Sequence, residues 1–106
     1  MFQEQKAAAY LERQGYRILE RNYRCRRGEI DLIGRDGLTL CFIEVKYRKN
    51  QSMGDPGESI TPCKQQKIRM TALWYCMEKR IGDGEPCRFD TVLITGEEIR
   101  LLKDAF

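Results

Sequence analysis

The chain has 106 residues, of which 42% are hydrophobic and 33% are charged, and its formal net charge is +3. This length predicts one domain, residues 1 to 106, that buries roughly 60 to 70% of its unfolded surface. The apolar runs are far shorter than the about twenty residues that cross a bilayer, and no signal peptide pattern opens the chain. The composition therefore predicts a soluble globular domain without a membrane partner.

The chain contains five cysteines and no histidine. Five is an odd number, and no C-x-x-C pair occurs, which argues against a disulfide framework and against a zinc knuckle. Reduced thiols predict a cytoplasmic protein. Because histidine is the commonest general base, its absence leaves carboxylates, lysine or thiols for any chemistry.

The first predicted helix covers residues 3 to 14 and ends before Gly15. Its apolar stripe follows the i, i+3, i+4, i+7 spacing of Glu4, Ala7, Ala8 and Leu11. Glu4 holds a stripe position where a leucine is expected. It is therefore predicted to point toward the rest of the fold.

Three strands are predicted next, over residues 16 to 23, 28 to 33 and 38 to 47. Asp36-Gly37 is a strong hairpin signal between the last two strands, with these two residues as the loop. A long polar loop is predicted over residues 48 to 59.

A second helix is predicted to begin at Pro62, with Thr61 as its N-cap, and to run to about Lys79. Two further strands are predicted over residues 88 to 95 and 99 to 102. The element order is then αβββαβ with an optional last strand. This order predicts an α/β sandwich in which helices flank a mixed sheet.

Strand alternation predicts a charged face on the central hairpin. Side chains alternate with period two, so Glu29 shares a face with Asp31, and Glu44 shares a face with Lys46. A loop with an even number of residues places all four on the same face, whereas an odd loop separates the two pairs. In the even register Asp31 and Glu44 are diagonal neighbours, with Cβ atoms roughly 5.5 to 7 Å apart.

The rest of the predicted charged face is apolar and consists of Ile33, Leu38, Leu40 and Phe42. Carboxylates beside a buried surface repel each other and lose hydration, which is costly unless a cation compensates. An oxygen-lined site without histidine or thiolate suits Mg²⁺ or Mn²⁺. The alternative is an ordinary ladder of salt bridges on an exposed sheet face.

The arrangement of Glu4, Asp31 and Glu44-x-Lys46 on helix, strand and strand resembles the PD-(D/E)-x-K nuclease superfamily, especially archaeal-type Holliday junction resolvases. The chain is also similar, over nearly its whole length, to the YraN-like family of predicted endonucleases. The stretches that carry this similarity are AAAYLERQGYRILERNYRCRRGEIDLI, FIEVKYR, ITPCKQQKI, PCRFDTVLI and DAF. The chain departs from the family pattern at Gln3, where glycine is usual, and at Cys63, where a basic residue is usual.

The resemblance implies a restriction-endonuclease-like fold and a metal-dependent endonuclease that hydrolyses DNA phosphodiester bonds, with branched or single-stranded DNA as candidate substrates. Asp31, Glu44 and the Val45 carbonyl would bind the ion. Lys46 would position or activate the attacking water, and Glu4 would assist through a second metal or a bound water. A homodimer is expected from the same resemblance.

Basic residues would then contact the DNA backbone. Lys64 and Lys67 occupy the opening turns of the second predicted helix, where the macrodipole disfavours cations, so they require an anionic partner or solvent. Backbone phosphate would be bound by Arg24, Arg26, Arg27, Arg48, Lys64 and Lys67. Plain solvation of these side chains is the alternative.

Several interpretations stay open at this point. Tyr47, Trp74 and Tyr75 either stack on bases or belong to the core. Asp90 matches the family pattern, and a strand-edge aspartate paired with Arg88 is its structural alternative. The function has two alternatives of its own: a nucleic-acid-binding module without turnover, and an interaction protein whose charged sheet face contacts a partner.

Overall fold

The computed structural model describes residues 2–48 and 60–106. Seven elements follow one another along the chain: α1 (Phe2–Arg13), β1 (Tyr16–Cys25), β2 (Gly28–Asp36), β3 (Thr39–Arg48), α2 (Pro62–Glu78), β4 (Cys87–Thr95) and β5 (Glu98–Leu102). The predicted α/β class and element order are confirmed. The polar loop predicted over residues 48 to 59 lies, from residue 49 onward, outside the described residues.

The five strands form one mixed sheet in the order β1-β2-β3-β4-β5. β3 and β4 are parallel, while the other three neighbouring pairs are antiparallel. The parallel pair requires a crossover connection, and α2 lies in that connection. β3 and β4 are consequently interior strands of the sheet, and β1 and β5 are its edges.

Strand alternation directs the side chains of β3 into two separate cores. Cys41 and Ile43 pack in one core with the α1 residues Ala7, Ala8 and Leu11. Leu40 and Phe42 pack in the other core with the α2 residues Ile68, Ala72 and Tyr75. The two helices therefore cover opposite faces of the sheet, as a sheet with both faces buried requires.

The start of α2 is as predicted. The Thr61 hydroxyl accepts a hydrogen bond from the Lys64 backbone N–H at 3.2 Å, and Pro62 occupies the first turn, where no N–H is needed. The helix ends at Glu78 with Lys79 as its C-cap. Neither helix of the described ranges is long and apolar enough to span a membrane.

The hairpin between β2 and β3 has a loop of two residues, but the predicted pair was wrong. Asp36 pairs with Thr39, so Gly37 and Leu38 form the loop. The positive φ of 62° falls on Gly37, which adopts it without steric cost. Leu38, predicted on the apolar face, is instead 85% exposed at the turn. Because both loops are even, the predicted facing of the two strands is retained.

The connection between β1 and β2 is also a tight hairpin, which differs from the prediction that β1 ends at Tyr23. β1 continues to Cys25, which pairs with Gly28, and Arg26 and Arg27 form the turn. Continued pairing with β2 satisfies the backbone groups that a shorter strand would leave open. Two of the predicted nucleic-acid-binding arginines thus lie at a hairpin tip.

Candidate carboxylate and lysine site

The sheet forks beside Asp31. The β2–β3 ladder ends at the pair Leu32 and Ile43, while β2 continues along β1 and β3 continues along β4. At the fork the Asp31 side chain, and not the β2 backbone, bonds to β3: its Oδ2 accepts a hydrogen bond from the Val45 N–H at 2.8 Å. The fork opens a gap within the sheet that a regular ladder would close.

The backbone of β2 is irregular at the same point. Ile30 and Ile33 both pack in the core on the α2 side, and Leu32 packs on the α1 side. Regular alternation would place Ile30 and Ile33, which are three positions apart, on opposite faces. In β1 the residue between the pairs Arg21–Leu32 and Tyr23–Ile30 is Asn22, which has a positive φ of 52°. The pairing register is the same on both sides of Asn22, so the changed facing of Ile30 is a local distortion next to Asp31 and not an inserted residue.

Asp31 and Glu44 face each other across the fork. Extending the β2–β3 register by one pair beyond Leu32 and Ile43 places Asp31 directly opposite Glu44. The prediction had made them diagonal neighbours. Glu44 is 4% exposed. Burial, then contact with the Glu44 carboxyl and its charge, raise the pKa of Asp31 well above its usual range, despite the Val45 hydrogen bond. The two carboxylates therefore favour a proton between them or a cation beside them.

Two lysines supply positive charge beside these carboxylates. Lys64 of α2 forms an ion pair with Glu44. Lys46 lies close by, and burial, followed by the charge of Lys64, lowers its pKa. Lys64 was predicted as a contact for DNA phosphate, and the structure assigns it an anionic partner within the chain.

Glu4 approaches the fork from α1. It belongs to the same helical stripe as the buried Ala7 and Ala8, and its charge contributes to the raised pKa of Asp31. The four predicted catalytic side chains, Glu4, Asp31, Glu44 and Lys46, are therefore neighbours in the fold. They come from one helix and two strands that the hairpin and the first core hold together.

Glu29 does not join this site, contrary to the same-face prediction. It pairs in register with Arg24 of β1, and the Arg24 Nε donates to the Glu29 carboxylate at 2.7 Å. Because β2 and β3 part at Asp31, the residues of β2 before the fork no longer lie beside β3. Both side chains of this ion pair are exposed.

The remaining predicted DNA-binding side chains lie in two places. Arg26 and Arg27 of the β1–β2 turn approach Lys67 of α2. Arg48 ends β3 and, two residues beyond Lys46, contributes to the lowered pKa of that lysine. The predicted basic set is therefore distributed around the fork and along the first half of α2.

The three candidate stacking aromatics separate into two groups. Tyr75 is buried and lies edge-on to Tyr23 and Phe42, with ring centroids 5.0 and 6.0 Å away. Tyr47 and Trp74 are each 49% exposed. The interpretation as core residues therefore holds for Tyr75 alone.

Thr91 was missed in the sequence. It is the parallel partner of Glu44 on β4, it is buried, and its hydroxyl has no hydrogen bond within the described residues. Alternation gives paired residues of adjacent strands the same face, so the hydroxyl borders the carboxylate site. The pairing of β3 with β4 across α2 leaves no local signal in the sequence that would identify this residue.

The donor set suits a hard divalent cation. Asp31, Glu44 and the Val45 carbonyl offer oxygen only, and water fills the remaining positions around Mg²⁺ in most protein sites. The described ranges contain no group of three or more histidine, cysteine, aspartate or glutamate residues arranged as a metal cluster. The carboxylates therefore fit a partly hydrated Mg²⁺ or Mn²⁺ better than a fully protein-coordinated zinc.

A second polar cluster lies on the α1 side of the sheet, around Asp90. This residue is 0% exposed and accepts hydrogen bonds from the Tyr16 hydroxyl at 2.8 Å and the Asp104 N–H at 2.9 Å. Arg88 donates to Asp90 at 2.8 Å and also to Asp36 at 2.8 Å. The predicted pairing with Arg88 is confirmed, but Asp90 lies on an interior strand rather than at a sheet edge.

The electrostatics of this second cluster are favourable. Burial raises the pKa of Asp90, but the hydrogen bonds from Arg88, Asp104 and Tyr16 outweigh it, and the net pKa is lowered. Each polar atom of the Asp90 carboxylate has a donor. The cluster needs no ligand to be satisfied.

Fold and site together define a mixed α/β domain with facing carboxylates and two lysines at a fork in its sheet. Residues 3–94 match the family described as "Uncharacterised protein family UPF0102", and the chain belongs to this family.

Two relatives are each described as a "UPF0102 protein". The one from Lachnoclostridium phytofermentans is 53% identical over 103 residues, which cover 97% of this chain and 87% of that protein. The one from Syntrophus aciditrophicus is 51% identical over 107 residues, which cover 97% of this chain and 84% of that protein. The YraN-like resemblance predicted from the sequence is confirmed at the level of this family.

Proposed function

We propose that this protein is a Mg²⁺- or Mn²⁺-dependent endonuclease that hydrolyses phosphodiester bonds of DNA, with branched or single-stranded DNA as candidate substrates. The observation that supports this most is the pair of a half-buried Asp31 and a buried Glu44, facing each other beside Lys46. Such a pair costs folding free energy when both groups are ionised, and costly charge placement of this kind is typical of functional sites. A divalent cation between them offsets the repulsion.

In this proposal Asp31, Glu44 and the Val45 carbonyl hold the ion. When bound, the ion polarises the phosphate, lowers the pKa of its water and offsets charge in the transition state. Lys46 positions the attacking water or stabilises developing negative charge on the phosphate, which its partly buried ammonium does more strongly than an exposed one. Glu4 holds the water from the α1 side, directly or through a second ion.

Lys64 has two uses in this proposal. In the described structure its ammonium compensates the charge of Glu44. If a divalent cation supplied that compensation, the Lys64 ammonium would be available to bind a phosphate oxygen of the substrate. Arg24, Arg26, Arg27, Arg48 and Lys67 complete the proposed backbone contacts.

Metal binding is tested by calorimetric titration of Mn²⁺ into wild type and Asp31→Asn. Asparagine keeps an oxygen that accepts from the Val45 N–H, so the fold is retained while the charge is lost. We expect one binding site in wild type and in the control Glu12→Gln, an exposed carboxylate of α1, and none in Asp31→Asn. Equal binding by all three proteins would refute the site.

Cleavage is tested on duplex, single-stranded and four-way junction DNA with Mg²⁺ or Mn²⁺. Glu44→Gln and Lys46→Met should each lower the rate at least about 100-fold, the usual cost of removing one electrostatic stabiliser of a transition state. Glu12→Gln again serves as the matched control. Activity that survives both substitutions would come from a contaminant, and the proposal would be abandoned.

A nucleic-acid-binding module without turnover is the second candidate. The ion pair between Lys64 and Glu44 favours it, because this pair already compensates one of the two carboxylates. A salt-sensitive complex with DNA that is never cleaved, under any divalent ion, would select this candidate. Sedimentation of the protein alone and with a four-way junction would test the homodimer expected from resolvase-like enzymes.

A further inference from the structure

A basic cavity lies between the β1–β2 hairpin turn and α2. Its volume is about 420 Å³, and its lining residues are Arg26, Arg27, Gln66, Lys67 and Met70. Three of these five side chains are cations and none is a carboxylate. The cavity therefore concentrates positive charge from two elements that are distant in sequence.

The cations of the basic cavity lack anionic partners. Arg26, Arg27 and Lys67 form no ion pair with any residue that the structure describes, whereas the neighbouring Arg24 is paired with Glu29. Mutual repulsion among these cations makes an anion in the cavity favourable.

The hairpin turn is held firmly against α2, so the cavity is preformed. A Cβ on Gly28 would lie 3.1 Å from the Thr71 hydroxyl and 3.7 Å from the Lys67 Cβ, which shows how closely the two backbones approach. The Tyr23 hydroxyl donates to Glu78 at 2.7 Å and fixes β1 to the far end of the same helix. The backbones that carry the donors are thus held at a fixed separation, so only the side chains have to be ordered on binding.

The chemistry of the lining selects phosphate among anions. Two guanidinium groups present planar forks of N–H donors that match phosphate oxygens, and an ammonium adds a point charge. The Gln66 amide provides another donor, and the Met70 side chain forms an apolar wall. A phosphate group has enough oxygens to occupy donors from both elements at once.

The cavity lies next to the proposed catalytic site along α2. Lys64 contacts Glu44, and Lys67 follows three residues later, which places it on the same side of the helix. A nucleic acid strand with one phosphodiester at the carboxylates would therefore extend its neighbouring phosphate toward the cavity.

We propose that the basic cavity is a preformed subsite for a backbone phosphate of nucleic acid, adjacent to the phosphodiester that the carboxylate site would hold. The identity of the ligand as nucleic acid rests on the proposed function. Phosphate binding in the cavity does not, since it needs neither the divalent ion nor turnover.

Titration of ¹⁵N-labelled protein with inorganic phosphate, without divalent ions, tests the cavity by NMR. Saturable shifts are expected at the amides of the β1–β2 turn and of the first half of α2. The double variant Arg27→Gln/Lys67→Gln should bind phosphate at least about 10-fold more weakly, because two charge-assisted contacts are lost. Arg80→Gln/Arg100→Gln, with the same charge change at exposed positions elsewhere, should bind within about two-fold of wild type. The spectra also report whether each variant is folded. Shifts that are equal in both double variants would overturn the subsite.

A second measurement distinguishes nucleic acid from a small phosphate compound. Binding of a short single-stranded DNA is followed against salt concentration, again without divalent ions. Loss of two phosphate contacts should reduce the slope of log affinity against log salt by about 1 to 2. Unchanged DNA binding in the variant that has lost inorganic phosphate would overturn the nucleic acid assignment. If wild type cleaves DNA but the cavity variant binds phosphate and DNA as well as wild type does, only the subsite is refuted. If the cavity variant binds more weakly but wild type does not cleave DNA, only the proposed activity is refuted.

Discussion

Asp31 and Asp90 lie in the same sheet and are surrounded differently. Asp90 is enclosed by donors from three elements, Tyr16, Arg88 and the Asp104 N–H, and its pKa is lowered. Asp31 receives one backbone donor and faces Glu44, and its pKa is raised. One carboxylate is surrounded by donors, and the other shares its site with a second carboxylate.

The difference indicates what each region does. A buried carboxylate with complete hydrogen bonding stabilises a fold and holds its elements together, and Asp90 ties β4 to β1 and to the C-terminal turn. A carboxylate that faces another carboxylate reduces stability until a proton or cation arrives. The same residue type is thus structural on one side of the sheet and a functional candidate on the other.

The same substitution at both positions should give the largest contrast. Asp90→Asn should lower the free energy of unfolding by about 3 to 5 kcal/mol. It removes the negative charge that Arg88 pairs with, and it replaces one accepting carboxylate oxygen by a donating NH2 group. Asp31→Asn should change it by less than about 1 kcal/mol or raise it, because repulsion with Glu44 disappears. Urea unfolding with a chelator present measures both. Equal losses would mean that Asp31 is as structural as Asp90.

Divalent ions should separate the two regions next. At a free Mn²⁺ concentration 100 times the Kd, wild type should gain about 2.7 kcal/mol, the value that one-site linkage requires. The gain should be absent in Asp31→Asn and retained in Asp90→Asn. Thermal unfolding with and without Mn²⁺ measures the gain in each variant. If Asp90→Asn also lost the gain, the ion would not be bound at the fork.

The dependence of stability on pH should have opposite signs at the two aspartates. Folded Asp31 binds its proton more tightly than the unfolded chain does. Its contribution to the free energy of unfolding therefore falls as pH rises from about 4 through the raised pKa. Asp90 has a lowered pKa, so its contribution is present above about pH 4 and is lost as pH falls through that lowered value.

Urea unfolding without metal, at several pH values above about 4, tests this sign. The slope of wild type should be more negative than that of Asp31→Asn by at most about 1.4 kcal/mol per pH unit, which is the limit for one proton. A positive difference between the two slopes would contradict the facing of the two carboxylates.

The smallest effect concerns a single hydroxyl of the satisfied cluster. Tyr16→Phe removes a donor to Asp90 and an acceptor for Arg88, and should cost about 1 to 2 kcal/mol. Tyr10→Phe is the matched control, because its ring lies under the Arg13 guanidinium and keeps that contact without the hydroxyl. Both are measured by chemical denaturation. If Tyr10→Phe lost as much stability as Tyr16→Phe, the hydrogen bonds of the Tyr16 hydroxyl would not be the cause of the loss.

Local patterns were sufficient for the elements and for part of the site. The N-cap of α2, the apolar stripe that carries Glu4 and the even hairpin loop were all predicted from neighbouring residues. An even loop keeps Asp31, Glu44 and Lys46 on one face whichever two residues form it. The wrong assignment of the turn residues therefore did not change the predicted shared face.

Other features depend on where strand pairing ends. Glu29 was expected beside Glu44 but lies before the fork, where β2 has only β1 as its neighbour. The contact of Lys64 with Glu44 and the position of Thr91 depend on α2 and β4 folding back over β3. None of these contacts leaves a periodic signal in the chain.

The chain's order of residues was therefore enough to establish the α/β class, the family resemblance and a set of oxygen and lysine groups suited to a divalent ion. Periods of 2 and 3.6 residues are local properties, which explains this success. Only the tertiary structure decided that Asp31 faces a second carboxylate and that Asp90 is surrounded by donors, because burial and partners come from residues distant in sequence. Their opposite pKa shifts follow from those surroundings and not from the residue type.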